Sequence, residues 1–201
     1  MADPRTIDVF FDFSSSYSYL ALPDFARLEA AAPVRWRPFS LGAIYKSLGA
    51  APAPADQPKG AYMLRDIERV ARREGRSFRW PTPFPFNSIP AARAFYAVER
   101  DAGGEAAKAI ALALFTASFG EGRDCSDPDT LSAVIAATGA DAPRVMAATG
   151  EDAIKARLKA VTEEAAAAGV FGAPCFVVEG ELFWGRDRLD DALRWAVAGP
   201  W

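Results

Sequence analysis

Histidine is absent from the 201 residues. Its absence removes Ser-His-Asp triads, Cys-His pairs and every histidine-ligated metal site. Any catalysis must use hydroxyls, carboxylates, amines, backbone dipoles or a borrowed cofactor. Cysteine is scarce as well. Cys125 and Cys175 lie far apart and make no CxxC, no metal-ligand spacing and no disulfide framework. In a reducing compartment both are expected as free thiols. No apolar run approaches the ~20 residues that a membrane-spanning helix needs. Neither sign of charge dominates. A net charge of −3 gives no reason to expect nucleic acid or an anionic membrane as a partner. Residues 1–6 lead directly into an apolar run with no signal-peptide pattern, so a cytoplasmic location is expected.

What is present is an ordinary globular composition, 51% hydrophobic and 24% charged. The length suits one domain with a large insertion, or two small domains. The most informative stretch is 12–20, Asp-Phe-Ser-Ser-Ser-Tyr-Ser-Tyr-Leu. An apolar run at 7–13 ends in serines, and an apolar-periodic segment follows at once. That pattern predicts a buried strand, a sharp turn and a helix over 17–31, with Pro23 kinking or restarting it. The start of such a helix aims unpaired N–H groups and the positive end of its dipole at one spot, which suits a thiolate or carboxylate.

Residues 34–39 alternate and read as a second strand, completing a right-handed βαβ unit. Helices are expected at 43–48, 60–74, 90–101, 105–119, 128–138 and 142–148, with Asp127 as an N-cap and Pro128 at N1. Between them, 50–58 is a Pro/Ala loop. The four prolines and four aromatics of 78–90 exclude a helix and predict an ordered covering loop. A long helix over 151–168 precedes Pro174, a strand through 175–178, a Glu179-Gly180 turn, a second hairpin strand and a last helix over 188–197. The order βαβ, helical block, α, ββ, α matches an α/β thioredoxin-like fold with a large all-helical insertion after the second strand. Residues 1–42 and 149–201 would form the thioredoxin-like domain and 43–148 the inserted helical domain.

Five segments in this order carry a family resemblance: DFxSxYSYLA from Asp12, KGxYMxRDxxRxAxxxG over 59–75, FPxNS over 84–88, GxFGxPxFVV over 169–178 and FWGxDRL over 183–189. Through them the chain resembles the 2-hydroxychromene-2-carboxylate isomerases and their kappa-class glutathione transferase relatives, in the thioredoxin superfamily. The resemblance implies glutathione as cofactor, a small aromatic pyruvate as substrate and a homodimer. It implies a glutathione-dependent cis-trans isomerase of aromatic-compound degradation. Ser15 matches the serine that hydrogen-bonds the glutathione sulfur, in the place of the first cysteine of a redox CxxC; Ser18 matches the second. Ser16 and Tyr17 belong to the same turn. Pro174 matches a cis-proline facing the sulfur, and Ala173 the residue whose backbone pairs with the tripeptide. Arg186 and Asp187 match the turn that holds the γ-glutamyl end. Asn87, Lys46 and Lys59 match positions near the organic substrate.

Three positions depart from the family pattern. Ser16 stands where proline is usual, Gly49-Ala50 where relatives have Gly-Asn, and Cys175 where a small residue follows the cis-proline. Taken singly, Ser15 is an ordinary N-cap, Asp187 a cap of the last helix, Asn87 a turn residue, and the two lysines solvated. Cys175 reads as a buried strand cysteine, though its position could also set a thiol beside the glutathione sulfur. Other readings stay open: a kappa-like glutathione transferase or peroxidase, or a non-catalytic thioredoxin-like binding module. A dithiol oxidoreductase is disfavoured by Ser15 and Ser18 themselves.

Overall fold

The computed structural model describes residues 3–201. Strand β1 (Ile7–Phe11) pairs parallel with β2 (Val34–Pro38) and antiparallel with β3 (Cys175–Val178), and β3 pairs antiparallel with β4 (Glu181–Trp184). The sheet order is β2-β1-β3-β4. Side chains alternate across it. Phe10, Arg37, Cys175 and Trp184 are in register on one face, and Val9, Trp36, Phe176 and Phe183 on the other. Helix α1 (Ser16–Glu29) packs on the second face through Phe25, edge-to-face with Trp36 and Phe176. Helix α9 (Leu189–Ala198) joins it through the Phe183–Trp195 contact. The first face is met by α8 (Asp152–Ala167), whose Glu164 pairs with buried Arg37. Arg37 also lies 5.2 Å over the Phe10 ring.

Six helices lie between β2 and α8: α2 (Leu41–Ser47), α3 (Pro58–Arg73), α4 (Ile89–Ala102), α5 (Gly104–Phe115), α6 (Pro128–Ala137) and α7 (Ala142–Ala148). Helix α4 is the hub. It buries Ala91, Ala92, Ala94 and Ala97, small side chains that admit neighbours closely, alongside Phe95, Tyr96 and Val98. The Tyr96 hydroxyl donates to Pro38 O at 2.6 Å and fixes α4 to the end of β2. Phe11 meets Phe25, Phe95, Phe115 and Trp36 with ring centroids 5.7–6.4 Å apart, so sheet and helices share one core. Aromatic pairs of this kind add about 0.5–1.5 kcal/mol each beyond burial. No helix among the described residues is long and apolar enough to cross a membrane.

The expected elements are present, with four local differences. Strand β1 ends at Phe11, not at 13, because the Asp12 carboxylate turns the chain. Its Oδ1 accepts from Ser14 N and Oγ at 2.7 Å, and its Oδ2 accepts from Leu41 N at 2.8 Å. Pro23 neither ends nor restarts α1. It lies on the exposed side, while Leu22, Phe25 and Leu28 hold both halves of the helix on the core. The α-helix expected over 105–119 stops at Phe115 and widens into a π-turn, Thr116–Gly120, closed by Glu121 N donating to Thr116 O. Asp187 does not cap α9. It lies in a 3-10 turn, Arg186–Arg188, and neither that turn nor α9 has a side-chain cap. Asp127 caps α6 by accepting from Thr130 N, as its Asp-Pro pair predicts.

Candidate active site

Ser15 sits where β1 has ended and α1 begins. Its extended backbone (φ −90°, ψ 108°) and its side chain make it the N-cap: Oγ accepts from Ser18 N at 3.1 Å. The same oxygen donates to Ala173 O, also at 3.1 Å, across 158 residues of sequence. The Ala173–Pro174 bond is cis. Gly185 N donates to Pro174 O at 3.0 Å. One chain of hydrogen bonds therefore joins the serine turn, the proline segment and the turn that carries Arg186 and Asp187. Ser15, Ser16 and Ser18 are all buried.

The Ser16 and Tyr17 amides precede the first intrahelical bond and have no partner among the described residues. Together with the 14-residue helix they supply positive potential beside the Ser15 hydroxyl. Among the described residues no Lys or Arg side chain hydrogen-bonds Ser15. The arrangement can stabilise an anion by N–H and O–H donation, and it can lower the pKa of a thiol placed there. The partners of Ser15 Oγ among the described residues are a backbone carbonyl and a backbone amide, neither of them a base that would activate it as a nucleophile. The donor set, a hydroxyl and two amides at one helix start, is of the kind that suits a thiolate.

The other candidates are placed as follows. Tyr17 reaches to α3, where its hydroxyl donates to Asp66 Oδ2 at 3.4 Å. Burial first, then the Asp66 charge, push the phenol up to about 12. Arg186 commits its guanidinium to Asp24 at 2.7 Å and to Glu74, clamping the turn to α1 and to the end of α3. Burial opposes its charge, and the two carboxylates outweigh that and raise its pKa. Asp187 is exposed, and its carboxylate lies 3.4 Å from the Arg188 guanidinium on the surface of the turn. Asn87 is exposed, its Oδ1 accepts from Ile89 N at 3.1 Å, and its amide N–H groups have no partner among the described residues. Lys46 closes α2 and Lys59 opens α3, both exposed, and no hydrogen bond joins either to the Ser15 turn.

Cys175 is fully buried, with its thiol directed at Gly172 O at 3.2 Å. Burial pushes that thiol up to about 12, so it is a neutral structural group. It does not stand as a reactive thiol beside the serine. Two further features were not legible in sequence. Asp66 is the acid that anchors Tyr17; it is a fixed position of the 59–75 motif, but nothing local pairs it with a residue 49 positions away. Phe171 and Trp184 meet with tilted rings, centroids 4.7 Å apart, beside Gly172, where an added Cβ would come within 2.4 Å of the indole nitrogen. Both are fixed positions of the 169–178 and 183–189 motifs, and nothing local shows that they meet.

Residues 6–194 match the family of the DSBA-like thioredoxin domain. The chain is 32% identical to a 2-hydroxychromene-2-carboxylate isomerase of Sphingobium xenophagum, over 92% of this chain and 95% of that protein. It is 26% identical to human glutathione S-transferase kappa 1, over 93% of this chain and 88% of that one. A solved 2-hydroxychromene-2-carboxylate isomerase superposes with a TM-score of 0.78 at 26% identity, covering 92% of this chain and 91% of the other. The fold, the Ser15 turn against Pro174 and these similarities together place the chain in the DSBA-like thioredoxin domain family, in the branch of the 2-hydroxychromene-2-carboxylate isomerases.

Proposed function

We propose that this protein is a glutathione-dependent cis-trans isomerase acting on 2-hydroxychromene-2-carboxylate or a similar aromatic pyruvate. The observation that carries the reading is the Ser15 hydroxyl, held at the start of α1 and bonded to the carbonyl that precedes cis-Pro174. It is a donor, without a base, beside two free amides. That is the chemistry of a site that holds an anion.

Glutathione, when bound, supplies a thiolate that adds reversibly to a conjugated double bond and so lets it rotate. The chain's own residues do the rest. Ser15 turns its proton from Ala173 O toward the sulfur and favours the charged form. The Ser16 and Tyr17 amides add to that field. The Ala173 backbone aligns the tripeptide, and Asp187 in its turn receives the γ-glutamyl ammonium. Arg186 holds that turn in place rather than meeting the ligand. The N–H groups of Asn87, with Lys46 and Lys59, donate to the carboxylate and the developing enolate oxygen of the substrate. In this reading 1–42 and 149–201 carry the glutathione half of the site, and the inserted 43–148 the substrate half. A cytoplasmic homodimer goes with it.

The test is turnover of 2-hydroxychromene-2-carboxylate and of benzylidenepyruvates with and without glutathione. Saturable dependence on glutathione with none consumed supports the isomerase. Accumulation of a stable conjugate would replace it with a transferase.

A further inference from the structure

The stretch 59–79 holds seven Lys and Arg against three Asp and Glu, in a chain whose net charge is −3. Some of this charge is spent internally. Arg69 pairs with Asp66, and Arg73 lies near Glu74. Arg72 and Arg79 are exposed and join no ion pair among the described residues. Both line a cavity of 310 Å³ between the second half of α3 and the chain that returns from it. Arg76 lines it too, fixed by donating to Leu20 O at 2.8 Å and by lying 4.3 Å over the Tyr19 ring, again without a carboxylate.

The walls are aromatic. Phe78 and Trp80 meet edge-to-face at 4.9 Å, and Trp80 packs against Phe84 at 4.6 Å. The carboxylate among the lining residues, Glu68, is occupied by the Trp80 indole N–H at 2.8 Å. The π-turn holds the returning segment: Arg79 N donates to Phe119 O, and Ser77 Oγ donates to Gly120 O. Three arginines without carboxylate partners among the described residues thus line one aromatic-walled pocket, and two of them, Arg72 and Arg79, have guanidinium groups that join no hydrogen bond among those residues. A guanidinium presents paired donors that match a carboxylate, and a flat ring stacks on indole or guanidinium planes. The volume lies at the small end of ligand pockets. None of the residues of the Ser15 turn or the Pro174 segment lines it.

We propose that this pocket is a second binding site, for a small aromatic carboxylate, with Arg72 and Arg79 clamping the carboxylate and Trp80 and Phe78 receiving the ring. It requires neither glutathione nor Ser15.

Calorimetry with benzoate and 2-naphthoate, in the absence of glutathione, tests it on the full chain. The Trp80 indole N–H resonance, assigned through Trp80→Phe, is followed in parallel. The proposal expects saturable binding that shifts this resonance. It expects Kd to rise about tenfold or more in the Arg72→Ala/Arg79→Ala double variant. Arg65→Ala, an exposed change on the same helix outside the pocket, should leave Kd unaltered. The Arg72→Lys/Arg79→Lys variant keeps charge and fold but loses the paired donors, and should weaken binding as well. Cyclohexanecarboxylate and inorganic phosphate should bind more weakly than 2-naphthoate. No saturable binding overturns the proposal. So does equal binding of phosphate, which makes the site a bare anion patch, or binding lost in Ser15→Ala and kept in the arginine variants, which places the ligand at the Ser15 turn.

Discussion

Removing the Ser15 hydroxyl isolates the group on which the proposed chemistry turns. In the free protein Oγ donates to Ala173 O and accepts from Ser18 N, each at 3.1 Å. Serving a thiolate means exchanging the neutral carbonyl for a charged acceptor. A hydrogen bond to a charged group contributes about 1.5–3 kcal/mol, against roughly 0.5–1.5 kcal/mol for a neutral one. One pKa unit corresponds to about 1.36 kcal/mol. The difference is about 1–1.5 kcal/mol, so the Ser15→Ala change raises the pKa of the bound thiol by about one unit. The helix dipole survives and contributes about 0.3–1 kcal/mol, less than one unit. From a free thiol near ~8.5, the wild-type complex should titrate at about 7 and the variant at about 8. The hydroxyl favours the charged form, so its loss moves the rising limb of the pH–rate profile to higher pH. At pH ~7 turnover falls about fivefold, and it recovers above pH ~8. The same change deletes an N-cap, costing about 1 kcal/mol and lowering Tm by roughly 2–4 °C. A pH–rate profile that keeps its position, with turnover lost equally at every pH, would refute the thiolate role and leave Ser15 a structural cap.

The two residues of the 186–187 turn should separate. Arg186→Ala removes the clamp between Asp24 and Glu74 and should lower stability by about 1–2 kcal/mol in denaturant titration. Asp187→Asn, at an exposed position, should leave stability alone and raise the glutathione Kd about tenfold by calorimetry; a fall in stability with unchanged Kd would reverse the assignment. Tyr17 has its phenol raised from 10.0 to about 12 in the folded chain. The folded state thus holds that proton more tightly than the unfolded state. Its contribution is complete below pH 10.0 and is lost as pH rises to about 12. Thermal melts across that window should fall less steeply for Tyr17→Phe than for wild type, and equal slopes would contradict the raised phenol. Cys175, buried and neutral, should resist alkylation in the native protein at pH ~8 and react after denaturation, as read by mass spectrometry.

Local signals carried most of the fold. Apolar runs bounded by serine, glycine and proline marked β1, β2 and the hairpin, and the 3.6-residue period marked the helices. The differences came where a side chain acted at a distance. Asp12 ends β1 by bonding Leu41 N, 29 residues on, and no window around Phe13 contains that information. The π-turn at 116–120 follows from Glu121 N finding Thr116 O, which a helical period does not register. In the site, the Ser15 cap was legible because Ser-x-x-Ser at a strand end is local chemistry. Its bond to Ala173 O crosses 158 residues, and only the family resemblance brought the two segments together beforehand. Arg186 shows the reverse. The motif marks it as a ligand contact, whereas Asp24 and Glu74, distant in sequence, take its guanidinium.

A glutathione titration by calorimetry, with ultraviolet thiolate absorbance followed in the same samples, tests the central claim most directly. The account predicts saturable binding accompanied by a thiolate signal at neutral pH that Ser15→Ala diminishes. Absence of binding at millimolar glutathione, or binding with the thiol still protonated, would contradict it.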